Sequence, residues 1–337
     1  MKRIVALLLF LPAIALGQDL PAKHIAALSE TGAGLSRGLT FHAPFTDPAN
    51  PLTVYKGSAL AFARAHDATH TATYLHPTTG LVTVASADQL RIEAQGALFE
   101  EAKTNLYTYS EQFNNIAWTA AAANLTVTAD NSVAPDGTLT ADLVVLDNGV
   151  GGGPVGYFNR TVTLVAPYSM SVFLKNAGRD VLVLQDGSGN GAIFNLTAKT
   201  ATVIGGAFVS ASIQQMLSGW YRCKVNYATG ANASPHFFSY FNTAGDGVNG
   251  MYFWGAQLEA GVPVSSYIPA VAATTTRNAD AITFPTIASP GTAMARVDGT
   301  MQEVDYATFD PTGHHVKDFR EWDRVLSAGE ISAVVGP

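Results

Sequence analysis

From Leu39 onward the chain breaks into short segments in which apolar and polar residues alternate with a period of two, the signature of half-buried strands. Leu39–Ala43, Ala59–Arg64, Ala72–Leu75 and Leu81–Val84 form a first group, interrupted by Pro44, Pro48, Pro51 and the turn Pro77-Thr78-Thr79-Gly80. A denser group follows over residues 124–285: Leu125–Thr128, Thr140–Leu146, Tyr157–Val165, Ser169–Leu174, Val181–Gln185, Ala201–Ile204, Trp220–Tyr227, His236–Phe241 and Met251–Trp254. Gly-, Asn- and Asp-rich breakers separate them at Pro135-Asp136-Gly137, 148–154, 186–191 and 245–247. Many short strands spaced by polar turns predict an all-β chain folded as an antiparallel β-sandwich.

The two ends have a different pattern. Lys2 and Arg3 precede an unbroken apolar run from Ile4 to Leu16 that closes on small residues at Gly17, the order of a secretory leader and too short to span a bilayer as a helix. Residues 18–37 support two helical turns at most, around Pro21–Leu28. Near the other end, Val316–Trp322 reads as a strand with charge on one face. Leu326-Ser327-Ala328-Gly329-Glu330-Ile331 then carries a capping box, Ser327 with Glu330, and a hydrophobic staple, Leu326 with Ile331, so a short C-terminal helix is predicted.

Composition narrows the function classes. The 337 residues are 47% hydrophobic and 13% charged with a net charge of −7, which leaves no basic excess for nucleic acid and too little charge for long surface helices or disorder. The one cysteine, Cys223, cannot close an intrachain disulfide and sits in an alternating strand, where a buried inert thiol is expected.

Several segments, in this order, resemble a module of phage tail-fibre, tail-spike and head-spike proteins that is similar to the jelly-roll carbohydrate-binding modules of glycosidases. They are Leu98–Leu106 with Tyr109–Phe113 and Trp118, Gly219–Arg222, Trp254–Gly261, Ser265–Pro269 and Arg277–Asp280; Arg64-Ala65, Thr71–Tyr74 and Gly80–Val82 resemble the segment that precedes that module. Phe319–Ser327 resembles the closing strand and helix of concanavalin A-like, laminin-G-type sandwiches. The resemblance implies a jelly roll of the concanavalin A-like or galactose-binding-like kind over residues 101–285. A β segment at 39–100 and a closing β segment with helix at 286–337 flank it, after a leader (1–17) and a linker (18–38). With too few residues between 286 and 312 for a complete second sandwich, the Leu39 strand and the last strand are expected to pair around the jelly roll.

What chemistry the sequence carries points to binding. His66 and His70 have helical metal spacing but lie among poor helix formers, and His314-His315 follow Pro311-Thr312-Gly313 in an expected solvated turn. Glu100 and Glu101 are adjacent and on a strand face opposite sides, so they cannot act as a glycosidase pair with each other. No nucleophile elbow, phosphate loop or dinucleotide fingerprint is present. The expectation is therefore a protein that is not an enzyme: an adhesin for cell-surface polysaccharide or glycan, exported to the surface or carried on a phage or phage-like particle. A fibre, spike or decoration subunit whose jelly roll makes oligomer contacts is the second reading, and a polysaccharide depolymerase the third. Partners would be a glycan, virion proteins and further copies of the chain, with no nucleic acid. Sugar recognition needs exposed rings beside polar groups; Tyr157, Tyr240 and Tyr252 are the candidates, with Trp118, Trp220 and Trp254 expected as core anchors. The resemblance also implies a structural Ca²⁺ between an early acidic residue and the closing strand, here Glu111 with Gln257 or Glu259, whose oxygens suit that ion. The alternative is hydrogen bonding that pins the chain start to the last strand.

Overall fold

The computed structural model describes residues 39–45, 61–65, 71–119, 123–164, 166–206, 209–228, 236–283, 293–305 and 309–322, with Leu326, Ile331 and Val334. The expected leader, the 18–37 turns, His66, His70 and the Ser327–Glu330 capping box lie outside them. The chain is an all-β antiparallel sandwich, as its two-residue periodicity predicts.

Eleven strands form the central sandwich. One sheet has the order Val209–Gln215, Trp220–Tyr227, Tyr168–Ala177, Gly250–Ala260, Leu139–Leu146, Leu125–Val133. The other has Tyr157–Thr161, His236–Phe241, Val181–Gln185, Gly191–Asn195, Thr200–Ile204. Leu125–Leu146 and Val209–Tyr227 run as hairpins within the first sheet and Val181–Ile204 as a meander within the second, and the chain crosses between the sheets in the remaining connections. Their inner faces close on one core in which Val172, Leu174, Cys223, Val225, Met251 and Phe253 meet Phe158, Leu182, Leu184, Phe194 and Phe241. Trp118 joins that core as expected; Trp220 and Trp254 anchor a second one on the outside of the first sheet. Cys223 is fully buried, and burial raises its thiol well above the usual range.

A glycine decides which face the longest strand shows. Tyr252 and Trp254 point outward and Met251 and Phe253 inward, but beyond Gly255 the parity reverses: Ala256 and Leu258 enter the core. The reversal is a β-bulge between the pairs Phe173–Trp254 and Ser171–Gln257. Gly255 takes φ +62°, which L-residues with a Cβ rarely adopt, and a Cβ there would lie 2.7 Å from the Phe173 ring. The bulge brings Gln257 and Glu259 to the outer face.

The flanking segments build a smaller sheet from both ends of the chain. Its order is Thr300–Val304, Ala293–Val297, His315–Trp322, Gly96–Leu98, Arg91–Glu93, and Leu39–Ala43 lies antiparallel beside His315–Trp322. Phe45, Phe62, Ile92, Phe99, Val316 and Phe319 pack beneath it. Ile331 and Val334 are helical, and Val334 packs with Leu326 on Met294 and Met301. The hairpin of Ala72–Leu75 and Val82–Ala85 lies over the outer face of the first sandwich sheet, where Val82 joins Phe173, Trp220, Trp254 and Tyr267.

Candidate functional site

Arg64, Glu100, Arg277 and Asp280 gather with Arg91 into a buried ionic joint. Asp280 accepts from Arg64 at 2.7 Å and from Arg91; Glu100 accepts from Arg91 at 2.5 Å and lies 3.3 Å from Arg277. The Glu100 backbone N–H donates to Asp280, while the Ser266 N–H and hydroxyl donate to Glu100. Burial alone would raise the Glu100 pKa, but Arg277, Arg91 and the Ser266 hydrogen bonds hold it far below the usual carboxylate range. Glu101 is exposed; it and Glu100 lie between strands rather than on one, and both line the cleft described next. The joint ties the 61–65 strand, the 91–100 hairpin and the 265–280 segment together.

Beside it opens a cleft of about 420 Å³, within the range of small-ligand sites. Its floor is the outer face of the first sandwich sheet. Alternation along Trp220-Tyr221-Arg222-Cys223-Lys224-Val225-Asn226-Tyr227 sends Tyr221, Cys223, Val225 and Tyr227 to the core and Arg222 and Lys224 to the floor. Cross-strand neighbours are Gln214 and Phe173 beside Arg222, and Ser212 and Ser171 beside Lys224. The walls come from Thr73–Leu75, Glu93, Gln95 and the 262–267 loop, with His315 at one side. His315 Nε2 lies 3.0 Å from Glu93 Oε2, and the Leu75 N–H donates to the other Glu93 oxygen. The solvated turn expected at His314-His315 is corrected by half: His314 is exposed beside Asp298, whereas His315 belongs to a strand.

The predicted tyrosines divide between two surfaces. Tyr157 and Tyr240 are directly opposed neighbours in the second sheet, pointing away from the core because Phe158 and Phe241 point into it. Tyr252 lies on the outer face of the other sheet, where the Lys175 ammonium sits 5.9 Å from its ring and from that of Trp220. The three therefore cannot share one site. Arg160, three residues on from Tyr157, is 4.5 Å over the Trp118 ring and donates to the Thr108 carbonyl.

The residues expected to hold Ca²⁺ are not assembled for it. Glu259 accepts from the Ser265 N–H, the Ser265 and Ser169 hydroxyls and the Gln257 amide, four donors for its four lone-pair directions. Gln257 in turn accepts the Ile268 N–H at 2.7 Å. Glu111 lies apart from them, accepting from the Tyr267 hydroxyl at 3.0 Å; burial pushes its carboxyl up to about 7. Among the described residues no three His, Cys, Asp or Glu side chains are placed to share a metal ion. These groups pin the closing strand, the 265–268 segment and the chain start by hydrogen bonds.

Sequence reasoning passed over Arg222 and Lys224. Their alternation with core residues in an otherwise apolar strand was the available signal.

No family model and no curated protein sequence matches the chain. Among solved structures it is similar to the enzymatically active domain of bacteriophage CBA120 tailspike protein 4, at 15% identity and a TM-score of 0.27, over 46% of this chain and 21% of that one. The chain thus spans about a fifth of the length of that domain. The expectation that the chain is not an enzyme is corrected at this point, because a solved structure it matches is of an enzymatically active domain. At that TM-score the likeness assigns it neither a reaction nor a non-catalytic role. Among the described residues no helix is long and apolar enough to cross a membrane.

Proposed function

We propose that the protein binds glycan, at a cell surface or as part of a phage or phage-like particle, and that the cleft beside the ionic joint receives the sugar. The cleft carries this reading. It is a concave site of ligand size on a rigid sheet, and hydroxyl, amide and charged side chains from at least three chain segments converge on it. The exposed Gln95 and Gln214 offer amide donors and acceptors to a sugar rim, beside Ser265 and Ser266, and Tyr74 and Tyr267 line the wall. The outward Tyr157–Tyr240 pair is a second contact surface for a long polysaccharide, on the opposite sheet.

Glycan-array binding by the full chain tests this, using two variants. Gln214→Trp places a large ring at an exposed position of the floor and is expected to abolish binding by filling the cleft. Tyr157→Ala with Tyr240→Ala is expected to weaken binding to long chains and leave short oligosaccharides unaffected. Full binding by Gln214→Trp would remove the cleft from the account. Absence of binding to any glycan, with a trimer by light scattering, would favour the structural-subunit reading.

A further inference from the structure

The cleft contains charges of both signs; its buried acids, and Arg277 with them, are already committed to partners, while Glu101 is exposed. Glu100 is clamped by Arg91 and Arg277, Glu259 holds four donors, and Glu93 accepts from His315 and Leu75. Arg222 is 6% exposed, and its guanidinium donates to a single oxygen, the Ser171 hydroxyl, from Nε at 3.3 Å and Nη2 at 3.0 Å. Its face lies 5.2 Å over the Phe173 ring. Lys224 is two residues along on the same strand face. Among the described residues, neither cation has a carboxylate within 4 Å, whereas Arg64, Arg91 and Arg277 all do.

Two like charges side by side under a protein roof are costly without an acid between them. Burial and then the Arg222 charge push the Lys224 ammonium down to about 8, and burial takes Arg222 down to about 10, with Glu259, Glu100 and Glu93 acting on both from beyond contact distance. An oxyanion resting on the floor would relieve that repulsion. Guanidinium presents a planar fork suited to carboxylate or sulfate, and an ammonium adds a point charge beside it.

We infer that Arg222 and Lys224 form an anion subsite in the cleft floor and that the glycan it takes is acidic, bearing carboxylate or sulfate groups. The inference deepens the glycan-binding reading and rests on it. A sugar is favoured over an acidic peptide because hydroxyl and amide groups flank the cations: Ser212 and Gln214 are their cross-strand neighbours, and Ser265 and Ser266 line the wall.

Calorimetric titration of the full chain at low salt tests it, with four probes: oligogalacturonate, a heparin-derived oligosaccharide, a neutral cellohexaose and a poly-glutamate peptide. Tighter binding of either acidic sugar than of cellohexaose, by tenfold or more, is expected; which of the two is preferred tells carboxylate from sulfate. Lys224→Gln should lose that tenfold preference and Lys224→Arg should keep it, both with an unchanged melting temperature. Arg222→Gln should do the same as Lys224→Gln, its fold checked by circular dichroism. Cellohexaose bound as tightly as the acidic sugars, with Lys224→Gln without effect, overturns the anion subsite and leaves glycan binding standing. Poly-glutamate bound more tightly than either acidic sugar overturns the acidic-glycan assignment. Binding of none of the four, together with a blank glycan array, overturns the glycan reading and this inference with it.

Discussion

Gly255 shows how much one backbone conformation carries. Its left-handed φ turns the strand over, so that Trp254 before it and Gln257 and Glu259 after it all reach the outer face. A Gly255→Ala chain has to accommodate a strained φ and a methyl group against Phe173, and is expected to lose roughly 1–3 kcal/mol of stability in urea unfolding. Wild-type stability would mean the bulge is not required. Glu111 makes a second case. Its raised folded pKa means the native state keeps a proton that the unfolded chain releases, so its contribution is greatest below about pH 4.5 and is lost as pH rises to about 7. Unfolding midpoints measured across that interval should fall by the equivalent of about 3 kcal/mol in wild type. Glu111→Gln should remove most of that slope; an unchanged slope would assign it to other groups. Glu100 has the opposite sign. Its depressed pKa contributes stability above about pH 4.5 that is lost toward strongly acidic pH.

At the scale of elements, strands with strong contrast between their faces were legible in the sequence and those without it were not. Val181–Gln185, Trp220–Tyr227 and His236–Phe241 have the predicted bounds. Val209–Gln215, at the edge of the first sheet, alternates Val, Ala and Ile with Ser and Gln, a weak contrast that no breaker marks. Gly191–Asn195 starts on a glycine that reads as part of a turn, and its role as a strand depends on Val181–Gln185 beside it. Arg64, Glu100, Arg277 and Asp280 were visible as motif residues, but their function as a joint was not, because it unites positions up to 216 residues apart. The joint binds separate elements, so its loss should be felt by the whole fold. Asp280→Asn leaves Arg64 and Arg91 buried with one charge fewer between them and is expected to cost about 3–5 kcal/mol in denaturant unfolding. A cost under 1 kcal/mol would mean the joint is dispensable.

At the scale of the molecule, the ends of the chain supply what the central sandwich lacks. A jelly-roll sheet has an outer face that ordinarily meets water; here Thr73–Leu75, Glu93, Gln95 and His315 rise beside it and turn a polar sheet face into a cleft. This is why Arg222 and Lys224 look like ordinary solvent-facing charges in the sequence: the residues that enclose them are about 40 to 150 positions away. The chain as a whole is weakly charged with no basic excess, and the acidic sugar is proposed from the placement of these two cations alone. The most direct measurement is a crystal structure of the full chain with a bound oligogalacturonate. The expected result is a uronate carboxylate within hydrogen-bond distance of Arg222 and Lys224, with a neighbouring hydroxyl on Gln214. A sugar seated instead on Tyr157 and Tyr240, with the cleft floor untouched, would contradict it.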